Sequence, residues 1–232
     1  MELLHKTNIV LHVLTGTVAL LLGLVALLSL KGGKVHNKSG RLFLVFISVV
    51  ILTGLIGVFV FERNTFLLVI TVLSGYVAFS GFQVLKLKSN EPRKLDMLVA
   101  AITIVVLAYF LYYFKTTGMI WSPIIIYSTV GALVFVIIYD FCKYFIPKRV
   151  YKNYQIWMYE HIYKMVSAFA ALLSAFSGTV LDQYQPQSQY LPSALGLVII
   201  IGFMVYFGRN GLKLMKKINK PSKTESIQKD LR

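Results

Sequence analysis

Residues 8–30 read NIVLHVLTGTVALLLGLVALLSL and run directly into Lys31-Gly32-Gly33-Lys34. A helix needs roughly 20 apolar residues to cross a hydrocarbon core ~30 Å thick, and this stretch meets that length without a charge. It is too long for the h-region of a secretory signal, has no basic n-region, and ends without a small-residue cleavage pattern. It therefore reads as a retained first membrane helix. Working outward, the same kind of run recurs at 42–61, 66–85, 95–114, 123–140, 156–181 and 193–207. The expected fold is an all-α, polytopic transmembrane bundle of seven helices.

Composition agrees, since 57% of the residues are hydrophobic and only 14% charged, against about a quarter charged in soluble domains. The spans and their short connections leave no room for a soluble domain. We divide the chain into a seven-helix domain, 1–208, and a basic tail, 209–232. A net charge of +15 would suggest nucleic acid in a soluble protein, but here the cations sit at helix ends and in loops. No nucleic-acid partner is expected.

Lys and Arg fall on alternate gaps: four in 31–41, four in 86–94, four in 143–152 and eight from Arg209 onward. The opposite side holds Lys6, Arg63 and Lys115, and the remaining cation, Lys164, lies inside the sixth span. By the positive-inside rule this ratio of 20 to 3 predicts an outside N-terminus and a cytoplasmic C-terminus. Tyr109, Tyr112, Tyr113 and Trp121 would mark the outer interface, and Tyr139, Tyr144, Tyr151, Tyr154 and Trp157 the inner one. The tail, with a break expected at Pro221, would contact anionic lipid. The single cysteine, Cys142, cannot form an internal disulfide.

Polar groups within spans are costly and mark candidate sites. His12 lies about a turn inside the first span, above Gly16, Ala19, Gly23 and Ala26, a small-residue face suited to close packing. It reads either as a haem or metal ligand or as a neutral histidine bonded to a carbonyl or hydroxyl. The sixth span carries Glu160 and Lys164 in the favourable i,i+4 order, and His161 and Met165 on another face. A His/Met pair suits haem iron, but the second axial ligand would have to come from another helix. Ser167, Ala171, Ser174 and Gly178 form a second small-residue seam, which predicts a central position for this helix. Asp140 and the loop His36-Asn37-Lys38-Ser39-Gly40-Arg41 should lie at a similar depth. His36, Arg41, Asp140, Glu160, His161 and Lys164 thus form an inner polar cluster, either a divalent-metal site or an ion-pair network. His5 is expected to be solvated at the outer surface.

These residues resemble a Bacteroidota-type bacterial family of polytopic membrane proteins of unknown function. The resemblance covers nearly the whole chain. It rests on His12 with Gly16, His36-x-x-x-Gly40-Arg41, Ser80 through Lys86 and Gly131 through Asp140. Its most specific parts are His161-x-x-x-Met165 with Ser174-Ala175-Phe176, and Leu191-Pro192 before Gly196. Asn37 departs from the family pattern, where many members carry Arg, and this bears against a headgroup clamp in that loop. The resemblance implies a bacterial inner-membrane protein and no particular reaction.

Three functional readings follow. One is a haem b or other redox protein using His12, His161 and Met165. Another is a transporter or a binding protein for a small molecule or lipid headgroup at the inner cluster. The third is a metal-dependent hydrolase similar to alkaline ceramidases, although Met165 stands where their paired zinc histidine would be. The small-residue seams also leave open contact with a second copy or with another membrane protein.

Overall fold

The computed structural model describes the backbone of residues 1–61, 66–117 and 123–218, and the side chains of 1–61, 68–116 and 125–210. Arg63, Trp121 and the tail from 211, including Pro221, lie outside the residues whose side chains are described. The helices are α1 (Glu2–Leu28), α2 (Lys34–Phe59), α3 (Phe66–Leu87), α4 (Lys94–Thr117), α5 (Pro123–Cys142), the short α6 (Lys148–Asn153), α7 (Ile156–Val180) and α8 (Gln187–Ile218). All but α6 are long and apolar enough to cross a membrane. Apart from the break at Pro192 in α8, their backbone groups are satisfied within each helix, as a chain in lipid requires.

The helix ends differ from the sequence expectation in one consistent way. α1 starts at Glu2 rather than residue 8, and α2 starts at Lys34, so the expected loop His36–Arg41 forms the first turns of α2. α8 likewise begins at Gln187 rather than 193. Hydropathy marks only the part of a helix that sits in hydrocarbon, whereas the backbone ladder continues through polar residues until a Gly, Pro or cap interrupts it. Gly33, with φ −72° and ψ 169°, occupies that N-cap position before α2.

Pro192 lies inside α8 and cannot donate to the carbonyl of Ser188 four residues earlier. Ser177 on α7 brings its hydroxyl to 2.6 Å from that carbonyl, which shares the proton with the Leu173 carbonyl of α7 at 2.7 Å. The missing helical bond therefore becomes a tie between α7 and α8. Ser174 and Ser193 add a hydroxyl pair at 2.8 Å along the same seam.

The most extensive packing joins α1 to α2, α3 to α7 and α7 to α8, and α7 also touches α1 and α6. The central position expected for the sixth span is observed. Its buried small residues, Ala168, Ala171, Ser174 and Gly178, let neighbouring backbones approach. The main core gathers Ala19, Phe43, Ile47, Val77, Leu133 and Ala168. Leu14, Val105 and Val198 are exposed, as residues facing lipid would be. At the basic end, Gln155 takes a left-handed conformation, φ 50° and ψ 42°. It turns α6 back against the start of α7, with Tyr151 buried against Val84 and Trp157.

Candidate functional site

At the basic end, α7 separates two sites by presenting alternate faces to them. Glu160 and Lys164, one turn apart, point into the protein interior and meet α5. Lys164 Nζ lies 2.5 Å from Asp140 Oδ1 and 3.3 Å from Glu160 Oε2. Lys143 Nζ lies 2.9 Å from Asp140 Oδ1 and 3.1 Å from Glu160 Oε2. Two ammonium groups and two carboxylates therefore form a closed, charge-neutral box, and all four residues are buried.

The outer carboxylate oxygens are also occupied. Tyr76 donates to Asp140 Oδ2 at 3.0 Å, while Tyr139 and Tyr151 donate to Glu160 Oε1 at 3.1 and 2.7 Å. Buried ions carry desolvation penalties of several kcal/mol each, offset only when the partners and hydrogen bonds are complete, as they are here. Outside the spans, burial first and then the Glu160 carboxylate push the Tyr151 phenol well above its usual range. The Lys143 carbonyl accepts from Asn90, which also donates to the Ile146 carbonyl, pinning the turn after α5 to the α3–α4 connection.

The second site is a cavity of about 490 Å³ enclosed by α1, α2, α3, α7 and α8. This size falls within the roughly 300–1,000 Å³ typical of small-molecule sites. Its body is apolar and aromatic, including Phe43, Phe82, Phe169, Phe203, Met158 and Met165. Its polar lining consists of Lys31, His36, Asn37, Arg41, Lys86 and His161, with Tyr206 also present, and contains no Asp or Glu. Arg41 and Lys86 are exposed. Lys31 donates to the carbonyls of Ala26, at 3.2 Å, and of Leu27 at the end of α1, and lies 4.5 Å from the Phe203 ring centre. Burial lowers its pKa, so an anion beside it would favour its charged form.

Two imidazoles line this cavity from different helices. His36 Nδ1 lies 2.9 Å from the Ala26 carbonyl, and His161 Nδ1 lies 3.1 Å from the Gly81 carbonyl. A carbonyl only accepts, so Nδ1 carries the proton in both rings and Nε2 is left free to act as acceptor or ligand.

The expected inner cluster thus divides. Asp140, Glu160 and Lys164 enter the ion box, whereas His36, Arg41, His161 and Met165 line the cavity. Among the described residues no group of three or more His, Cys, Asp or Glu is arranged to hold a metal ion. His12 belongs to neither site. Its Nδ1 shares a hydrogen bond of 2.8 Å with Thr53 Oγ1, which also lies within reach of the Val49 and Val50 carbonyls. Asn8 adds a bond to the Thr53 carbonyl at 3.1 Å, completing a polar tie between α1 and α2. His5, expected in solvent, is partly buried and stacks on Phe61 at 4.7 Å.

Lys143, Tyr76, Tyr139 and Tyr151 are the site residues that sequence reasoning missed. Lys143 reads as a loop cation in the sequence, although its i,i+3 spacing from Asp140 is a signal. Tyr139 and Tyr151 read in the sequence as interfacial belt residues, since composition does not distinguish a tyrosine facing lipid from one facing a carboxylate.

Fold and sites together define a multi-pass integral membrane protein with a buried ion-pair core and an adjacent apolar cavity rimmed by cations. No protein family, curated protein or solved structure matches the chain.

Proposed function

We propose that this protein binds an anionic amphiphile, a molecule with an apolar body and a negatively charged head, in the cavity between α2 and α7. The reading is carried by one observation: an apolar cavity whose charged lining residues, Lys31, Arg41 and Lys86, are all cationic. An acyl or ring body would displace water from the Phe43, Phe169 and Phe203 walls, and the head would pair with the rim. On this proposal the N-terminus is outside and the basic end faces the bacterial cytoplasm. The cavity then opens at the cytoplasmic leaflet of the inner membrane, where anionic lipid is available.

Membership of the Bacteroidota-type family belongs to the same proposal. It is supported by the way the resembling segments converge, since His36, Gly40, Arg41, Phe82, Lys86, His161 and Met165 all line this cavity. Thermal unfolding in detergent with added phosphatidylglycerol or phosphatidylcholine tests the binding. A ligand at about a hundred times its Kd stabilises by about 2.7 kcal/mol. We expect such a rise with the anionic lipid and its loss in the Arg41→Ala/Lys86→Ala double variant; equal stabilisation by both lipids would refute the reading.

Haem b is a second reading, favoured by His36 and His161. Their free Nε2 atoms come from different helices onto one cavity, meeting the need for two ligands that His161 and Met165 on one helix face do not meet. The rim cations would then pair with the propionates. The reduced and oxidised visible spectra of haem-replete protein decide it. Bands lost in His161→Ala and retained in His12→Ala support haem; a featureless spectrum removes it.

A further inference from the structure

A much smaller cavity, of about 20 Å³, reaches the ion box and shares no lining residue with the large one. Its volume suits one body about the size of a water molecule. Asp140 and Lys143 line it from the box, Tyr76, Ser80 and Gln83 from α3, and Asp96 from α4. Two of its oxygens stand out. Ser80 Oγ, on a residue only 9% exposed, and Asp96 Oδ1 are buried without a hydrogen-bond partner among the described residues. Both face a free-energy penalty that a bound species would remove.

Charge identifies that species. Asp140 and Glu160 are balanced by Lys143 and Lys164. Glu91, also at the cavity, is paired with Lys148 at 2.6 Å. Asp96 forms no ion pair among the described residues, so one carboxylate charge is left over. We propose that this cavity is a site for one small monovalent cation, Na+, held by the Asp96 carboxylate and the Ser80 hydroxyl.

A divalent ion would leave an excess positive charge beside the Lys143 ammonium. The donors present are hard oxygens, the chemistry an alkali cation takes. The other titratable groups facing the cavity are Tyr76, Glu91, Asp140, Lys143 and Tyr144, of which Asp140 and Lys143 are fixed in the box. Occupancy is therefore felt by the box through Lys143, whose Nζ bonds both carboxylates.

The test is the unfolding temperature of the purified full chain in NaCl, KCl and choline chloride at equal ionic strength and one neutral pH. Sodium binding predicts a rise specific to Na+. Its half-saturating concentration should increase at least tenfold, or the effect disappear, in Asp96→Asn and in Ser80→Ala. If Asp96→Asn fails to fold, Ser80→Ala and the wild-type cation series carry the same decision. A wild-type protein indifferent to Na+ overturns the proposal, as does a sodium effect that both variants leave intact.

Discussion

Lys164 is 0% exposed and has both carboxylates of the ion box within reach, which makes the box a test of buried electrostatics in this fold. Glu160→Gln preserves shape but leaves two ammonium groups sharing Asp140. Breaking a buried pair in this way costs about 3–5 kcal/mol, and we expect a loss of that size in reversible unfolding. Lys148→Ala, at the exposed Glu91 pair, should leave stability unchanged within error, because solvent screens that contact. Tyr151 supplies the pH dependence. Its phenol stays protonated in the folded protein above the pH, about 10, at which it ionises in the unfolded chain. Its contribution is therefore complete below that pH and is lost as pH rises further. Tyr151→Phe should make the alkaline fall in stability shallower, measured as unfolding temperature between pH 9 and 11. The i,i+4 pair Glu160–Lys164 and the depth of Asp140 were legible in the sequence. Lys143 was not, because a cation just past an apolar run looks the same whether it snorkels to solvent or turns inward to a carboxylate.

At the scale of the element, glycines separate positions that are packed from positions that are merely small. A Cβ at Gly196 of α8 would stand 2.6 Å from the Ala170 Cβ of α7, and one at Gly81 of α3 would stand 2.9 Å from the Lys164 Cβ. Backbone contact of this kind holds α3 and α8 against α7, and neither neighbour is the flexible end of a long side chain. Gly196→Val should force the α7–α8 pair apart at a cost of about 1–3 kcal/mol. Gly131 of α5 is the control, with nothing within 4 Å of an added Cβ. Gly131→Ala should be neutral or stabilise by up to about 1 kcal/mol through helix propensity, so its unfolding temperature should hold or rise where that of Gly196→Val falls. The seam 167, 171, 174, 178 announced that α7 would be central, because small residues at that spacing have little use on a lipid-facing surface. Helix ends were less legible. The segment His36–Arg41 is polar enough to pass for a loop, yet its backbone continues the α2 ladder, and that continuation turns His36 toward the Ala26 carbonyl and the cavity.

For the whole molecule, the span count was legible because bilayer thickness sets one length for every helix. The sequence also placed His36 and His161 at the depth of Asp140 and Glu160. It could not show that they divide between two sites, because that depends on which face of α7 meets which neighbour. Orientation is the remaining property of the whole molecule, and the single cysteine makes it measurable. Cys142 is exposed at the basic end of α5, and no other cysteine is present to confuse the signal. With the basic end in the cytoplasm, a membrane-impermeant maleimide should leave Cys142 unlabelled in intact bacterial cells and label it after permeabilisation. Glu2→Cys in a Cys142→Ser background should behave in the opposite way and label without permeabilisation, since Glu2 begins α1 at the other end. The reverse pattern would place the cationic rim of Lys31, Arg41 and Lys86 outside. The large cavity would then open to the other leaflet, and a cytoplasmic anionic lipid would lose its route to the site.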